Sequence, residues 1–316
     1  MLFTTQRTAT ATLLALTLSA CGGGGGGGGG DNGGGGGLPT TPQASTGFAK
    51  EGDTMDDDLN YRANSRGLVT LIDGNAQRQN DPVRVRYSTN RVRNNTNYIE
   101  RGLIQIDLGD DDIIMLADNN DRRRYVDYVS ASEISHMFEV TGEAESGGEL
   151  IAQTGYLKFT DSASGEISRG FITFGFDTDP DDVAAFNPTS GTATYEGSID
   201  LVASGNSTPA VRNEGTITLT ADFDGSREVT GNFSHGSFAG MNSQTYNLTG
   251  GSFSGNQISA NLVNAGDLSA GQTLESGSLI GNFYGANLDA IGGTVEMTIN
   301  QNGGDDILVQ GGFVAD

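Results

Sequence analysis

Short runs of alternating apolar and polar residues recur through residues 187–316, and they constrain the fold more than any other feature. Each run is bounded by glycine, asparagine or aspartate, which are typical of tight turns. In one run Ile217, Leu219 and Ala221 share one face while threonines occupy the other, as in a strand buried on one side. The predicted strands are 192–201, 215–223, 228–233, 246–253, 257–262, 277–284, 293–299 and 307–313.

Eight antiparallel strands joined by short turns can close into a barrel whose interior is filled by side chains. Hairpin signals such as Asp224-Gly225 separate the runs, and glycines inside strands, such as Gly231 and Gly311, suit the strong coiling of a small barrel. A β-sandwich is the alternative. The outward positions carry threonine, serine, asparagine and acidic residues rather than an apolar band, which predicts a soluble barrel and not a membrane-spanning one.

Residues 48–186 differ in composition and predict a separate, mostly β domain. They contain 14 basic and 26 acidic residues, whereas residues 187–316 contain only Arg212 and Arg227 against 13 acidic ones. No run has sustained helical periodicity, and one short helix is predicted at 181–186, where the first residues are acidic. The predicted strands are 67–72, 83–87, 98–108, 113–116, 125–129, 136–140, 150–159 and 167–176.

The N-terminus predicts a lipid anchor. Residues 1–20 have a weakly positive start and a short apolar run, as in a signal peptide, and they end in Leu18-Ser19-Ala20-Cys21, which matches a bacterial lipobox. Cys21 is the only cysteine, so we expect it to be the lipidated residue. An ordinary secretory peptide with an incidental cysteine is the alternative. Residues 21–47 then form a glycine-rich, disordered linker, whose 26 residues after Cys21 have a root-mean-square span of about 28 Å.

Charge and motif content exclude several functional classes. The chain has 40 acidic and 17 basic residues and a net charge of −23, which argues against a nucleic-acid partner. One cysteine excludes a disulfide scaffold and a thiolate-rich metal site. No G-x-S-x-G, H-E-x-x-H or phosphate-binding loop occurs in the sequence. We therefore predict a protein that is not an enzyme and that uses no cofactor or metal.

Two acidic clusters, 110–121 and 177–182, have enough carboxylates to hold calcium. The second begins D-x-D-x-D but is not an EF-hand, because the following glycine is absent and the twelfth position is Pro188. We interpret them as solvated loops, with calcium binding as the alternative. Of the two histidines, His136 is predicted to pack in a strand and His235 to lie in a solvated turn.

Arginine and tyrosine are concentrated in the first domain, against the acidic field of the rest of the chain. These two residue types contribute strongly to protein interfaces, through bidentate hydrogen bonds and flat apolar contact. We therefore predict a partner-binding surface there, with neutralisation by neighbouring Asp81, Glu100, Asp121 and Asp127 as the alternative. The predicted surface residues are Arg84, Arg86, Tyr87, Arg91, Arg93, Tyr98, Arg122, Arg123, Arg124, Tyr125 and Tyr128.

Several short motifs resemble those of the transferrin-binding protein B-like surface lipoproteins. Residues 171–178 and 188–197 resemble the junction into the barrel of that family, and 281–286, 292–296 and 310–313 resemble its final strands. The superfamily includes factor H-binding and haemoglobin-associated lipoproteins. The resemblance implies a handle domain at 48–186 and an eight-stranded barrel at 187–316, both on an outer-membrane lipid anchor facing the cell surface.

The resemblance also implies a function. The chain has one handle and one barrel, where transferrin-binding protein B has two such lobes. We expect a surface protein that captures a host or environmental protein, or an iron- or haem-related nutrient that it passes to an outer-membrane transporter. Two alternatives remain: a structural or adhesive surface protein, and a small-ligand binder that uses the barrel mouth.

Overall fold

The computed structural model describes residues 59–64, 68–72, 75–79, 84–88, 92–93, 98–99, 103–107, 112–117, 123–130, 133–160, 167–186, 191–205, 208–266 and 268–316. In these ranges the protein is all-β apart from one short helix. The predicted signal peptide, the glycine-rich linker and Cys21 lie outside the described residues.

The first part of the chain is built from antiparallel strands. Its described strands are β1 (Leu59–Asn64), β2 (Leu68–Ile72), β3 (Asn75–Gln79), β4 (Arg84–Ser88), β5 (Val92–Arg93), β6 (Tyr98–Ile99), β7 (Leu103–Asp107), β8 (Asp112–Ala117), β9 (Arg124–Ser130), β10 (Glu133–Ser146), β11 (Glu149–Thr160) and β12 (Ile167–Gly175). Ten of them form one sheet in the order β1-β4-β7-β8-β9-β10-β11-β12-β2-β3, and β5 pairs with β6. Strand β1 also pairs with β12, opposite Phe174, so eight of the ten strands form a ring.

The sheet encloses its own apolar core. Alternate residues of β4, Val85 and Tyr87, are buried opposite Ile106 and Ile104 of β7. Phe138 joins the same cluster and is fully buried. The predicted mostly β character is therefore confirmed. Within the predicted strand 98–108 the structure describes β6, which pairs with β5, and β7, which pairs with β4 and β8; residues 100–102 and 108 lie outside the described residues.

Helix α1 (Pro180–Ala185) follows the sheet and lies one residue before its predicted position. Pro180 occupies the first turn, and the Asp179 carboxylate accepts a hydrogen bond from the Asp181 N–H at 2.8 Å, as an N-cap does. Val183 is buried with the barrel core, and the ring of Phe186 packs edge-on against Phe223 at 4.8 Å. The helix thus covers one end of the barrel.

The remaining strands form a closed, up-and-down antiparallel barrel. They are β13 (Thr192–Gly205), β14 (Thr208–Asp222), β15 (Val229–His235), β16 (Gln244–Ser254), β17 (Gln257–Asn264), β18 (Gln272–Tyr284), β19 (Ala290–Gln301) and β20 (Ile307–Ala315). Consecutive strands pair, and β13 also pairs with β20, which closes the barrel. All eight predicted strands are confirmed, and the sandwich alternative is wrong.

The predicted alternation is also confirmed. Ile217, Leu219 and Ala221 are at most 1% exposed inside the barrel, while the Thr216 hydroxyl lies outside, 3.1 Å from that of Ser234. Strand β14 begins earlier than predicted because its first residues continue the ladder with β13. Gly231 has a φ of +146°, and a side chain there would meet the backbone of β14, so only glycine suits this bend.

Buried hydrogen bonds connect the sheet to the barrel within one compact unit. The Thr173 hydroxyl donates to the Gly293 carbonyl at 2.8 Å, and the Thr178 hydroxyl donates to the Gly285 carbonyl at 2.7 Å. Gly312 allows β20 to approach the sheet closely, since a Cβ at that position would lie 2.8 Å from Cβ of Phe171. The sheet therefore holds the barrel wall in a defined position.

Candidate binding surface

Two tyrosines of the predicted surface belong to the core of the sheet. Tyr87 and Tyr125 are 4% and 3% exposed, their hydroxyls are 3.1 Å apart, and their rings pack edge-on at 5.9 Å. Burial, followed by the proximity of Tyr87, raises the pKa of Tyr125 far above its ordinary value. These two residues are corrected: they occupy the apolar positions of β4 and β9 and face Phe138 and Phe174, so they offer no ring to a partner.

The predicted arginines are distributed over several strands. Arg123 is well exposed, with 66% of its side chain accessible, and its guanidinium donates to the Glu143 carboxylate at 3.0 Å. The half-buried Arg124 follows it at the start of β9. The charge of Arg123 is thus partly neutralised by Glu143 of β10. The sequence did not predict this partner, because the two residues are far apart in the chain.

The other predicted surface residues lie in separate strands or outside the described residues. Arg93 of β5 and Tyr98 of β6 are opposite each other in the antiparallel ladder between these strands. Arg84 and Arg86 are in β4, Tyr128 is in β9, and Arg91 and Arg122 lie outside the described residues.

A charged cluster that the sequence did not predict lies between sheet and barrel. Arg212 of β14 donates to the Glu139 carboxylate of β10 at 3.0 Å and to the buried Asp200 carboxylate of β13. Its guanidinium also stacks over the Tyr156 ring, 4.6 Å from the centroid. Burial raises the pKa of Asp200, and the ion pair with Arg212 offsets part of that rise. The only signal in the sequence was the scarcity of arginine in residues 187–316.

At the barrel end away from α1, the wall opens into a groove between β17 and β18. The ladder between these strands ends at Asn261 and Ser278, although both strands continue. On its other side β18 pairs with β19, and that ladder has a register irregularity between Leu274 and Ser276. The β17–β18 groove has a volume of about 520 Å³. It is lined by Leu262, Val263, Asn264, Gly266, Leu268, Gln272, Thr273, Leu274, Glu275 and Ser276.

Polar groups are buried beside this groove. Tyr246 is fully buried and is paired with Asn264, and His235 is 5% exposed with its ring stacked 5.7 Å from that of Tyr246. His235 was predicted in a solvated turn, and this is wrong: it ends β15 on the inward side, two residues after buried Phe233. Its Nδ1 lies 2.6 Å from the Gly236 carbonyl and so carries the proton, which leaves Nε2 as an acceptor.

The burial of His235 predicts a pH dependence of stability. Burial lowers the pKa of His235, and the hydrogen bond to Gly236 opposes part of this shift. The unfolded chain therefore takes up a proton at higher pH than the folded one, and stability decreases as pH falls below about 6.5 toward the folded-state pKa. We expect the free energy of unfolding, measured by urea titration from pH 7.5 to 5, to fall less steeply in His235→Gln. Equal slopes in both proteins would contradict this assignment.

The second acidic cluster is occupied by structural contacts. The Asp177 carboxylate accepts a hydrogen bond from the Asn282 amide at 2.9 Å, and Asp179 caps α1. In the described ranges no three histidine, cysteine or acidic side chains are placed to share a metal ion. Among these residues there is also no helix with the length and hydropathy needed to cross a bilayer.

Three features define the fold: the closed barrel, the sheet packed on its wall and the helix over one end. Residues 187–316 match the family model of the C-lobe and N-lobe β-barrels of transferrin-binding protein B. Residues 187–316 therefore have a transferrin-binding protein B-like barrel fold, and the described residues contain one such barrel with one ten-stranded sheet before it. The resemblance seen in the sequence motifs is thereby confirmed for the barrel.

Solved structures with a transferrin-binding protein B-like fold align over most of the chain. The isotype 1 transferrin-binding protein B from serogroup B Neisseria meningitidis is 12% identical to this chain, with a TM-score of 0.45. The alignment covers 81% of this chain and 43% of the Neisseria protein. A single-substitution variant of the protein from Haemophilus parasuis Hp5, described as a vaccine antigen, is 13% identical with a TM-score of 0.35, covering 82% and 76%. The chain thus spans less than half of the Neisseria protein.

A protein of the DUF3598 family from Nostoc punctiforme also aligns, at 8% identity and a TM-score of 0.22, covering 80% of this chain and 95% of that one. Because these TM-scores are below 0.5, the assignment of the transferrin-binding protein B-like fold depends on the family model and on the barrel topology. Comparison with curated protein sequences finds no match.

Proposed function

We propose that this protein is a non-catalytic, lipid-anchored surface protein that captures a protein ligand or an iron- or haem-related nutrient. The observation that carries the proposal is the match of residues 187–316 to the barrels of transferrin-binding protein B. The sequence adds the context of an anchored protein, with a lipobox ahead of a glycine-rich linker. Transfer of the captured ligand to an outer-membrane transporter is part of the same proposal.

The anchor is proposed at Cys21, with removal of residues 1–20. Gly22 follows the cysteine, and a residue other than aspartate at this position is compatible with export to the outer membrane. The glycine-rich segment that follows would let the folded body stand away from the lipid surface and reach a large partner. We propose that the body faces the outside of the cell.

The partner-binding surface is proposed on the arginine-rich strands of the handle domain, residues 48–186. It retains Arg84, Arg86, Arg91, Arg93, Tyr98, Arg122, Arg123, Arg124 and Tyr128, and it omits the two buried tyrosines. Arg123 supports the proposal, because its side chain remains largely exposed while paired to Glu143. An exposed arginine can recognise a carboxylate of a partner through paired hydrogen bonds.

The proposal predicts a partner whose binding depends on these arginines. The full lipidated chain in detergent is immobilised, and iron-loaded transferrin, haemoglobin and free haem are each titrated over it. We expect saturable binding of one of them, weakened at least about tenfold in Arg122→Ala/Arg123→Ala/Arg124→Ala, because interface arginines often dominate binding energy.

Arg227→Ala is the matched control, since Arg227 is an exposed arginine at the α1 end of the barrel. Equal loss in the control and the triple variant would show a general charge effect and remove the handle surface from the proposal. Binding of none of the three ligands would favour a structural or adhesive surface protein.

A further inference from the structure

The β17–β18 groove lies apart from the handle surface proposed for protein capture, and buried polar atoms without partners lie beside it. Four polar side-chain atoms beside it are buried and have no hydrogen-bond partner in the structure: Nε2 of His235, Oη of Tyr246, Oδ1 of Asn264 and Oε1 of Gln272. Buried polar atoms are nearly always paired. Two of the four, those of Asn264 and Gln272, belong to residues that line the groove, where a ligand can supply the missing partners.

These atoms belong to one contiguous group. Asn264 and Gln272 line opposite sides of the groove, from β17 and β18 respectively. Tyr246 pairs with Asn264 across β16 and β17, and the His235 ring stacks on that of Tyr246. Asn264 and Gln272 therefore line the groove itself, and Tyr246 and His235 are buried next to Asn264 inside the barrel.

The orphan atoms are mostly acceptors. The amide nitrogens of both side chains already donate to backbone carbonyls, Asn264 to Gly266 and Gln272 to Gly240, and their oxygens are the atoms without a partner. Nε2 of His235 is an acceptor because Nδ1 carries the proton. A matching ligand must therefore bring several hydrogen-bond donors.

The walls of the groove define the rest of the ligand. Leu262, Leu268 and Leu274 provide apolar contact, and Val263 is exposed at 44% on the rim. Glu275 is the one charged side chain among the described lining residues, and it is acidic. Within a chain of net charge −23, this environment attracts cations.

We propose that the β17–β18 groove is a binding site for a small primary alkylammonium. The ammonium group carries N–H donors for the carbonyl oxygens of Asn264 and Gln272, which line the groove, while its alkyl chain packs on the leucines. The site is separate from the arginine surface of the handle domain and does not depend on it.

The test uses calorimetric titration of the full chain with n-butylammonium chloride at constant ionic strength. Two matched probes separate the chemistry: tetramethylammonium chloride has the charge without N–H donors, and n-butanol has the alkyl chain without the charge. We expect saturable binding of n-butylammonium that is at least about tenfold tighter than that of either probe, since charge-assisted hydrogen bonds are the strongest available here.

Variants locate the binding in the groove. Asn264→Leu and Gln272→Leu are each expected to weaken n-butylammonium binding several-fold, and Gln272→Glu is expected to strengthen it by adding a negative charge. Gln257→Leu, at an exposed position at the other end of the same strand, is the control and is expected to bind as the wild type does. Thermal unfolding of each variant confirms folding, and Gln272→Glu keeps the test informative if a leucine variant is unstable.

Three outcomes would overturn the proposal. Equal binding of tetramethylammonium would show a general attraction to an acidic protein. Unchanged affinity in Gln272→Glu and in the leucine variants would place the ligand elsewhere. The absence of saturable n-butylammonium binding would show that internal water satisfies the four buried atoms.

Discussion

Replacing Cys21 with serine is expected to move essentially all of the protein from the membrane fraction to the soluble fraction. A serine hydroxyl cannot form the thioether that the proposed lipid anchor requires, and the sequence has no second cysteine to replace it. Two or more acyl chains give stable membrane attachment because each buried methylene contributes about 0.8 kcal/mol. Labelling of cells with a fatty-acid analogue, followed by fractionation, measures both the modification and the location.

Gly22→Asp is the matched control for this experiment. It keeps the acylated cysteine but changes the residue that follows, so we expect labelling to persist while the protein shifts from the outer to the inner membrane. The contradicting result would be a wild-type chain that carries no label, or a Cys21→Ser chain that stays in the membrane fraction. Either result would contradict lipid anchoring at Cys21.

Replacing Arg212 with leucine is expected to destabilise the protein by about 2–4 kcal/mol, since removing one partner leaves a buried charge uncompensated. Asp200 is only 5% exposed and takes its charge-assisted hydrogen bond from Arg212, which also connects to Glu139 of the sheet and stacks on Tyr156. Urea unfolding followed by circular dichroism measures the loss; tyrosine fluorescence is a second probe, because the chain has no tryptophan.

Asp200→Asn provides the control that separates charge from packing. In the Arg212→Leu background it replaces the uncompensated carboxylate by a neutral amide, which costs less to bury, so we expect the double variant to recover part of the lost stability. The ion-pair account would be contradicted if Asp200→Asn destabilised the Arg212→Leu protein by as much as it destabilises the wild type.

The barrel could be predicted because its information is local. Alternation such as Ile217, Leu219 and Ala221 fixes which face is buried, and glycine-containing turns fix where each strand ends. In the sheet, local patterns did not predict the strands whose position depends on pairing with strands that are distant in the sequence. Strand β1 and strand β3 have no strong apolar pattern and are held by pairing to β4, β12 and β2. Composition near each segment does not contain that information.

The candidate sites show the same limit. Tyr87 and Tyr125 were assigned to a surface by residue type, and the register of β4 and β9 places them in the core. His235 was assigned to a turn by its serine and glycine neighbours, although its spacing from Phe233 was the better signal. The β17–β18 groove could not be predicted, because it lies where two strands stop pairing, and the end of a ladder is not visible in the sequence of either strand.

Ligand retention by intact cells tests the central claim most directly. Labelled iron-loaded transferrin, haemoglobin and haem are each applied to cells with and without the wild-type chain, and to wild-type cells treated with a protease that cannot enter them. The account predicts saturable retention of one ligand that requires the chain and disappears after protease treatment. Equal retention of all three ligands with and without the chain would contradict a role in nutrient capture at the cell surface.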